Sequence, residues 1–163
     1  MKHNAYLLLG SNSGDMTTIL SQARLMIERE VGDIDDQSSF YKTEPWGMAS
    51  ESWFINQVIR INTKLSPVEL LNALLSIEMK LGRVRNANFA LIDRTLDIDI
   101  LYYDAIIYED SNLTVPHPRL HLRQFTLLPL CEIAPEYIHP KLTLTNQELL
   151  AQSEDNSKVI RIQ

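Results

Sequence analysis

The sequence predicts an α+β sandwich: an antiparallel sheet with a βαββαβ core of ferredoxin-like type, followed by a C-terminal extension. Three observations lead there. Two segments, 15–31 and 66–81, carry apolar residues at helical spacing. Short β-prone runs flank them in the order strand, helix, strand, strand, helix, strand. The chain has 163 residues, 45% of them apolar and 22% charged, which suits one folded domain over 1–163.

Residues 5–9 form a short apolar run that ends at the turn residues Gly10-Ser11-Asn12-Ser13-Gly14, giving a first strand and a loop. Asp15 is an N-cap candidate, and Leu20, Ala23, Ile27 and Val31 then recur on one helical face up to Gly32, read as the stop. Strand propensity returns over 38–43 and breaks at Glu44-Pro45-Trp46-Gly47, an exposed loop with an unexpected tryptophan. Trp53 to Thr63 reads as a longer strand, with Phe54, Asn56 and Val58 on one face and apolar residues on the other.

Ser66-Pro67-Val68-Glu69 combines an N-cap serine, a proline at N1 and a glutamate at N3, so a capping box should start the second helix, which runs to Gly82. A polar, arginine-containing stretch, 83–94, separates it from a strand over 95–103. A turn at Asp104-Ala105 and a strand at 106–108 suggest a hairpin. Helices follow at 124–134 and near 146–152, and a last strand at 159–162. Helices are expected on one sheet face, leaving the other as the floor of a ligand site.

Net charge is −6, which disfavours nucleic-acid binding through phosphate neutralisation and an RNA-binding sheet face. Cys131 is the sole cysteine, so no intramolecular disulfide can form. No apolar run approaches a signal-peptide core or a membrane span. A cytoplasmic monomer is the expectation.

The chemistry concentrates in Arg94-Thr95-Leu96-Asp97-Ile98-Asp99-Ile100-Leu101, where carboxylates and aliphatics alternate. In a strand, Asp97 and Asp99 share one face while Leu96, Ile98 and Ile100 point to the other. Adjacent like charges are costly without a cation, and hard oxygen donors suit magnesium shared with nucleotide phosphates. Two solvated acids on a half-exposed strand are the alternative. Arg83, Arg85, Arg94, His117 and Arg123 lie close by in sequence and could converge on a phosphate chain; no Walker A motif is present.

With Leu9-Gly10-Ser11-Asn12, Ser39-Phe40-Tyr41-Lys42-Thr43, Asn56, Ile77-Glu78, Gly82-Arg83-Val84-Arg85, Arg94 to Leu101, Val115-Pro116-His117, Arg123 and Phe125 in this order, the chain resembles the 6-hydroxymethyl-7,8-dihydropterin pyrophosphokinases over nearly its whole length. The resemblance implies that ATP is a co-substrate and that Asp97 and Asp99 bind two magnesium ions bridging its phosphates. It implies ATP contacts at Glu78, Arg85, His117 and Arg123, and a mobile catalytic loop carrying Arg83 and Arg94. It also implies a slot for the dihydropterin made by Thr43, Pro45, Trp46, Phe54, Asn56 and Phe125; stacked aromatics and an edge-reading amide suit a flat polar heterocycle.

The sequence departs from that pattern at 86–93, which lacks the family's arginine, tryptophan and Gly-Pro pair; Phe89 is a substitute for the tryptophan. Pro118 follows His117 in place of an aromatic, and His121 stands where lysine is common. The implied reaction is in-line attack of the pterin hydroxymethyl oxygen on the β-phosphorus of ATP, driven by positioning and charge neutralisation, with no obligatory general base. The rival reading is a non-catalytic ferredoxin-like ligand-binding or regulatory module.

Overall fold

The computed structural model describes residues 1–12, 14–44, 53–81 and 96–163. Its elements are β1 (His3–Ser11), α1 (Met16–Glu30), β2 (Gly32–Gln37), β3 (Tyr41–Thr43), β4 (Phe54–Thr63), α2 (Pro67–Leu81), β5 (Asp97–Tyr103), β6 (Tyr108–Glu109), β7 (Thr114–Val115), α3 (Gln124–Ile133), α4 (Asn146–Gln152) and β8 (Val159–Arg161). A 3-10 turn at Leu120–Leu122 precedes α3. The six-stranded sheet runs β5-β1-β4-β3-β8, with β2 also on β4, and every described pairing is antiparallel. This is the expected ferredoxin-like order, with the second strand of the core split into β2 and β3.

Local chemistry starts the helices where the sequence predicts. The Asp15 side chain accepts from Thr18 N at 3.3 Å, and Leu20, Ala23 and Ile27 of α1 are buried. At α2, Glu69 N donates to Ser66 Oγ (3.2 Å) and Ser66 N to Glu69 Oε1 (2.9 Å), completing the capping box. Gly32 does not end α1 through a left-handed turn. It opens β2, where a Cβ would lie 2.0 Å from Asn62 O, so only glycine lets β2 approach β4.

The sheet is covered on both faces, which corrects the expectation of helices on one. Leu7, Leu9, Ile59, Ile61, Ile98 and Ile100 pack with Leu20, Ile27, Leu70, Leu74 and Ile77 of α1 and α2. Tyr6, Leu8, Val58 and Leu101 pack on the opposite face with Leu120, Leu127, Leu130 and Leu149. The α3–α4 pair therefore covers part of the second face: Asn146 Nδ2 of α4 donates to Ala134 O at the end of α3 (2.8 Å), and Asn146 Oδ1 accepts from the Tyr102 hydroxyl of β5 (2.7 Å). Its remaining end stays open.

The predicted hairpin at Asp104-Ala105 is also corrected. Asp104 turns the chain at φ 46°, but its carboxylate bonds Asn4 N (2.8 Å) and His3 Nδ1 (2.6 Å), tying the turn to β1. The short hairpin forms further on, between β6 and β7, where Asp110 Oδ1 accepts from Asn112 N and Leu113 N. No helix among the described residues is long and apolar enough to cross a membrane.

Candidate active site

The open end of the second sheet face is a cleft of about 520 Å³. Its floor follows from strand register. Gly10 of β1 pairs with Asn56 of β4 on one side and with Asp97 of β5 on the other, and Leu8 pairs likewise with Val58 and Asp99. Asn56 and Asp97 are thus two strand spacings apart, about 10 Å, across a glycine. A Cβ at Gly10 would lie 2.5 Å from Asn56 Oδ1, so the glycine is what lets the amide lie across β1.

At the β4 end, Phe54 pairs with Thr43. Thr43 Oγ1 is buried and has no hydrogen-bond partner among the described residues, and Thr43 lines the cleft. Such an atom is costly unless a ligand or water meets it. Asn56 is 6% exposed, Phe54 37% exposed, so an amide and a ring are presented at different depths of one wall. Phe125, from the first turn of α3, is on the lining too, beneath the Arg123 guanidinium at 5.4 Å from its ring centre.

At the β5 end, Asp97 and Asp99 are half-buried and line the cleft, while Leu96, Ile98 and Ile100 enter the core on the other face, as the alternation predicts. Burial lowers the Arg123 pKa and the Asp99 charge raises it, so Arg123 and Asp99 share one electrostatic neighbourhood. His117 belongs to it as well: burial pushes its pKa down, Asp99 opposes, and Arg123 and Arg119 reinforce the fall. Arg119 N donates to His117 Nδ1 at 3.1 Å, which leaves the ring proton of the neutral imidazole on Nε2.

Seven predicted site residues meet on this cleft: Thr43, Phe54, Asn56, Asp97, Asp99, Arg123 and Phe125. His117 is adjacent through Asp99. Glu78 is placed differently: it is buried on α2, and its Oε2 accepts from Ile98 N at 2.6 Å, fixing β5 between the two aspartates rather than lining the cleft. Pro45, Trp46, Arg83, Arg85 and Arg94, and the stretch 86–93, lie outside the described residues. Glu44, Arg119 and Asp155 line the cleft without having been singled out. Arg119, two residues past His117, had a signal in its spacing; Asp155 had none, because it arrives from the distant tail.

The donor set fits a hard divalent cation. Two carboxylates share the face, and no group of three or more metal-binding side chains occurs among the described residues, so a cation here would complete its shell with substrate oxygens. Together these features define a ferredoxin-like α+β protein with a cleft acidic at one end and aromatic-amide at the other.

Comparison with known proteins agrees. The family model described as 7,8-dihydro-6-hydroxymethylpterin-pyrophosphokinase (HPPK) matches residues 6–135. The chain is 39% identical over 143 residues to the 2-amino-4-hydroxy-6-hydroxymethyldihydropteridine pyrophosphokinase of Porphyromonas gingivalis, covering 86% of this chain and 97% of that protein. It is 40% identical over 134 residues to the protein of the same name from Bacillus subtilis, covering 82% and 79%. The solved structure of wild-type Plasmodium falciparum HPPK-DHPS with pteroate superposes with a TM-score of 0.75 at 18% identity; 93% of this chain spans 44% of that one, and the likeness is one of fold. The chain belongs to the 7,8-dihydro-6-hydroxymethylpterin-pyrophosphokinase family.

Proposed function

We propose that this chain transfers pyrophosphate from Mg-ATP to 6-hydroxymethyl-7,8-dihydropterin and releases AMP, a step of folate synthesis. The observation that carries the reading is the row Asn56, Gly10, Asp97, which sets a heterocycle-reading amide and a carboxylate pair at the two ends of one cleft. The pterin oxygen forms its bond to the β-phosphorus as the bond from that phosphorus to the AMP oxygen breaks, and the hydroxyl proton leaves to solvent.

Asn56 reads the polar edge of the pterin, Thr43 Oγ1 offers a second polar contact, and Phe54 and Phe125 hold its faces, with Pro45 and Trp46 completing the slot. Asp97 and Asp99 hold magnesium, two ions in the fullest form of the reading; bound there, the metal neutralises charge on the phosphates. Arg123 and His117 Nε2–H donate to phosphate oxygens, and Arg83, Arg85 and Arg94 supply the remaining positive charge. For Glu78 the hydrogen bond to Ile98 N supports a role in holding the aspartate strand. The whole span 1–163 serves as one domain, supported by the pairing of β8 with β3, and acts as a cytoplasmic monomer.

Calorimetry with a non-hydrolysable ATP analogue tests this reading against a non-catalytic module. Nucleotide binding should need magnesium and disappear in excess chelator, and hydroxymethyl-dihydropterin should bind the nucleotide-loaded protein. Nucleotide binding that ignores magnesium would overturn the assignment of Asp97 and Asp99.

A further inference from the structure

The C-terminal tail lies beyond the span that the family model matches, yet it delivers one side chain, Asp155, to the cleft. Helix α3 starts at Gln124, and its N-cap residue, Arg123, makes no side-chain capping bond. The first N–H groups of a helix have no intrahelical acceptor and need one from elsewhere. Gln124 N finds it in Asp155 Oδ2 at 2.8 Å, 31 residues further along the chain. The other oxygen, Oδ1, accepts from Ser157 N at 2.9 Å and from Ser157 Oγ at 2.5 Å. One carboxylate therefore joins the tail to the start of α3.

The tail is fastened beyond that point as well. Glu44 N donates to Lys158 O (3.1 Å), Lys158 N donates to Glu44 Oε1 (2.8 Å), and β8 continues alongside β3. Arg161 approaches Glu132 of α3 at 3.7 Å, and Glu132 accepts from Tyr41 OH at 2.7 Å. With these anchors, Asp155 is a fixed acceptor rather than a loose side chain. A carboxylate also suits the positive end of the α3 dipole.

We propose that Asp155 is a positioning residue for pyrophosphate transfer: by capping α3 from the tail, it holds Arg123 and Phe125, the neighbours of Gln124, in the cleft. The inference deepens the function proposed above and rests on it. Without the cap, the first turn of α3 frays, and only the ordered fraction presents Arg123 to phosphate and Phe125 to the pterin. Apparent affinity falls by that fraction, whereas saturating substrates reorder the turn and restore turnover.

Steady-state kinetics of Asp155→Ala and Asp155→Asn, with amide hydrogen exchange at residues 124–126, test the proposal. In Asp155→Ala, KM for both substrates should rise about fivefold to tenfold with kcat changed less than about twofold, the size expected from one lost cap. Asp155→Asn keeps one acceptor oxygen and should fall between Ala and wild type. Exchange at 124–126 should quicken in Asp155→Ala. KM values within twofold of wild type in Asp155→Ala, or an Asn variant as impaired as Ala, would overturn the positioning role. Unchanged exchange would overturn the cap itself. A wild-type chain that releases no AMP would overturn the reaction and this role with it, and the exchange arm distinguishes that failure from a failed cap.

Discussion

Gly10 and Asn56 work as a pair, because the absent side chain of one makes room for the amide of the other. Asn56→Ala should weaken pterin binding by about 1 to 3 kcal/mol, since in the proposed complex the pterin's polar edge loses its partner. ATP affinity, measured by the same calorimetry, should stay near wild type; equal losses for both ligands would contradict the placement. Gly10→Ala should also weaken pterin binding, by displacing the amide, with ATP again spared. At the other end of the row, Asp97→Ala should lower turnover on the order of a hundredfold or more, because the proposed function makes Asp97 a ligand of the metal at the phosphates. Its melting temperature should be unchanged or slightly raised, because Asp97 stands one pleat from another acid on the same face. An Asp97→Ala chain that unfolds while its folded fraction keeps full activity would assign the residue to structure instead.

At the scale of elements, α1 and α2 are legible because their caps are local chemistry: Asp15 and the Ser66–Glu69 box start them where short-range patterns place them. Strand β2 is not legible in the sequence, since Ile34 is the one apolar residue of Gly32–Gln37 and an acidic edge strand carries little periodicity. The hairpin forms beyond the 106–108 segment that the sequence suggests because Asp104 is drawn to β1 by a residue about a hundred positions away. Asp97 and Asp99 are legible from period-two alternation, whereas Thr43, Phe54 and Asn56 come from the family resemblance; Glu44 and Asp155 come from neither, since both are engaged by the tail as it folds back. The loop after α3 carries its own test. His139 is buried, and its Nδ1 accepts from Lys141 N and Leu142 N, which requires a neutral ring. Burial, with His121 and Lys141 reinforcing it, pushes its pKa down to about 4. The unfolded histidine, near 6.5, takes up a proton first as pH falls, so stability is complete above that value and declines between about 6.5 and 4. The total is on the order of 3 kcal/mol. In His139→Asn, which keeps an acceptor but cannot titrate, urea midpoints at pH 7.5 and 5 should differ less than in wild type; an equal difference would place the titration elsewhere.

The whole molecule is a sheet with two covered faces, one of which is left open at its end. The apolar run of β1 is buried on both sides, with Ala5, Leu7 and Leu9 in one core and Tyr6 and Leu8 in the other. That second core, built by α3 and α4, sets where the cleft begins, and strand register decides what lies in it. An acidic chain of net charge −6 gathers its described cleft cations, Arg119 and Arg123, beside an aspartate pair, which suits the proposed metal-bound phosphate chain better than a nucleic-acid backbone. The most direct test follows the phosphorus. Purified protein is mixed with ATP and magnesium, with and without 6-hydroxymethyl-7,8-dihydropterin, and the products are read by phosphorus NMR. The expected result is AMP and a pterin diphosphate in equal amounts, formed only when pterin and magnesium are both present. Release of ADP or inorganic phosphate in place of AMP, or AMP formation indifferent to the pterin, would contradict pyrophosphate transfer by this cleft.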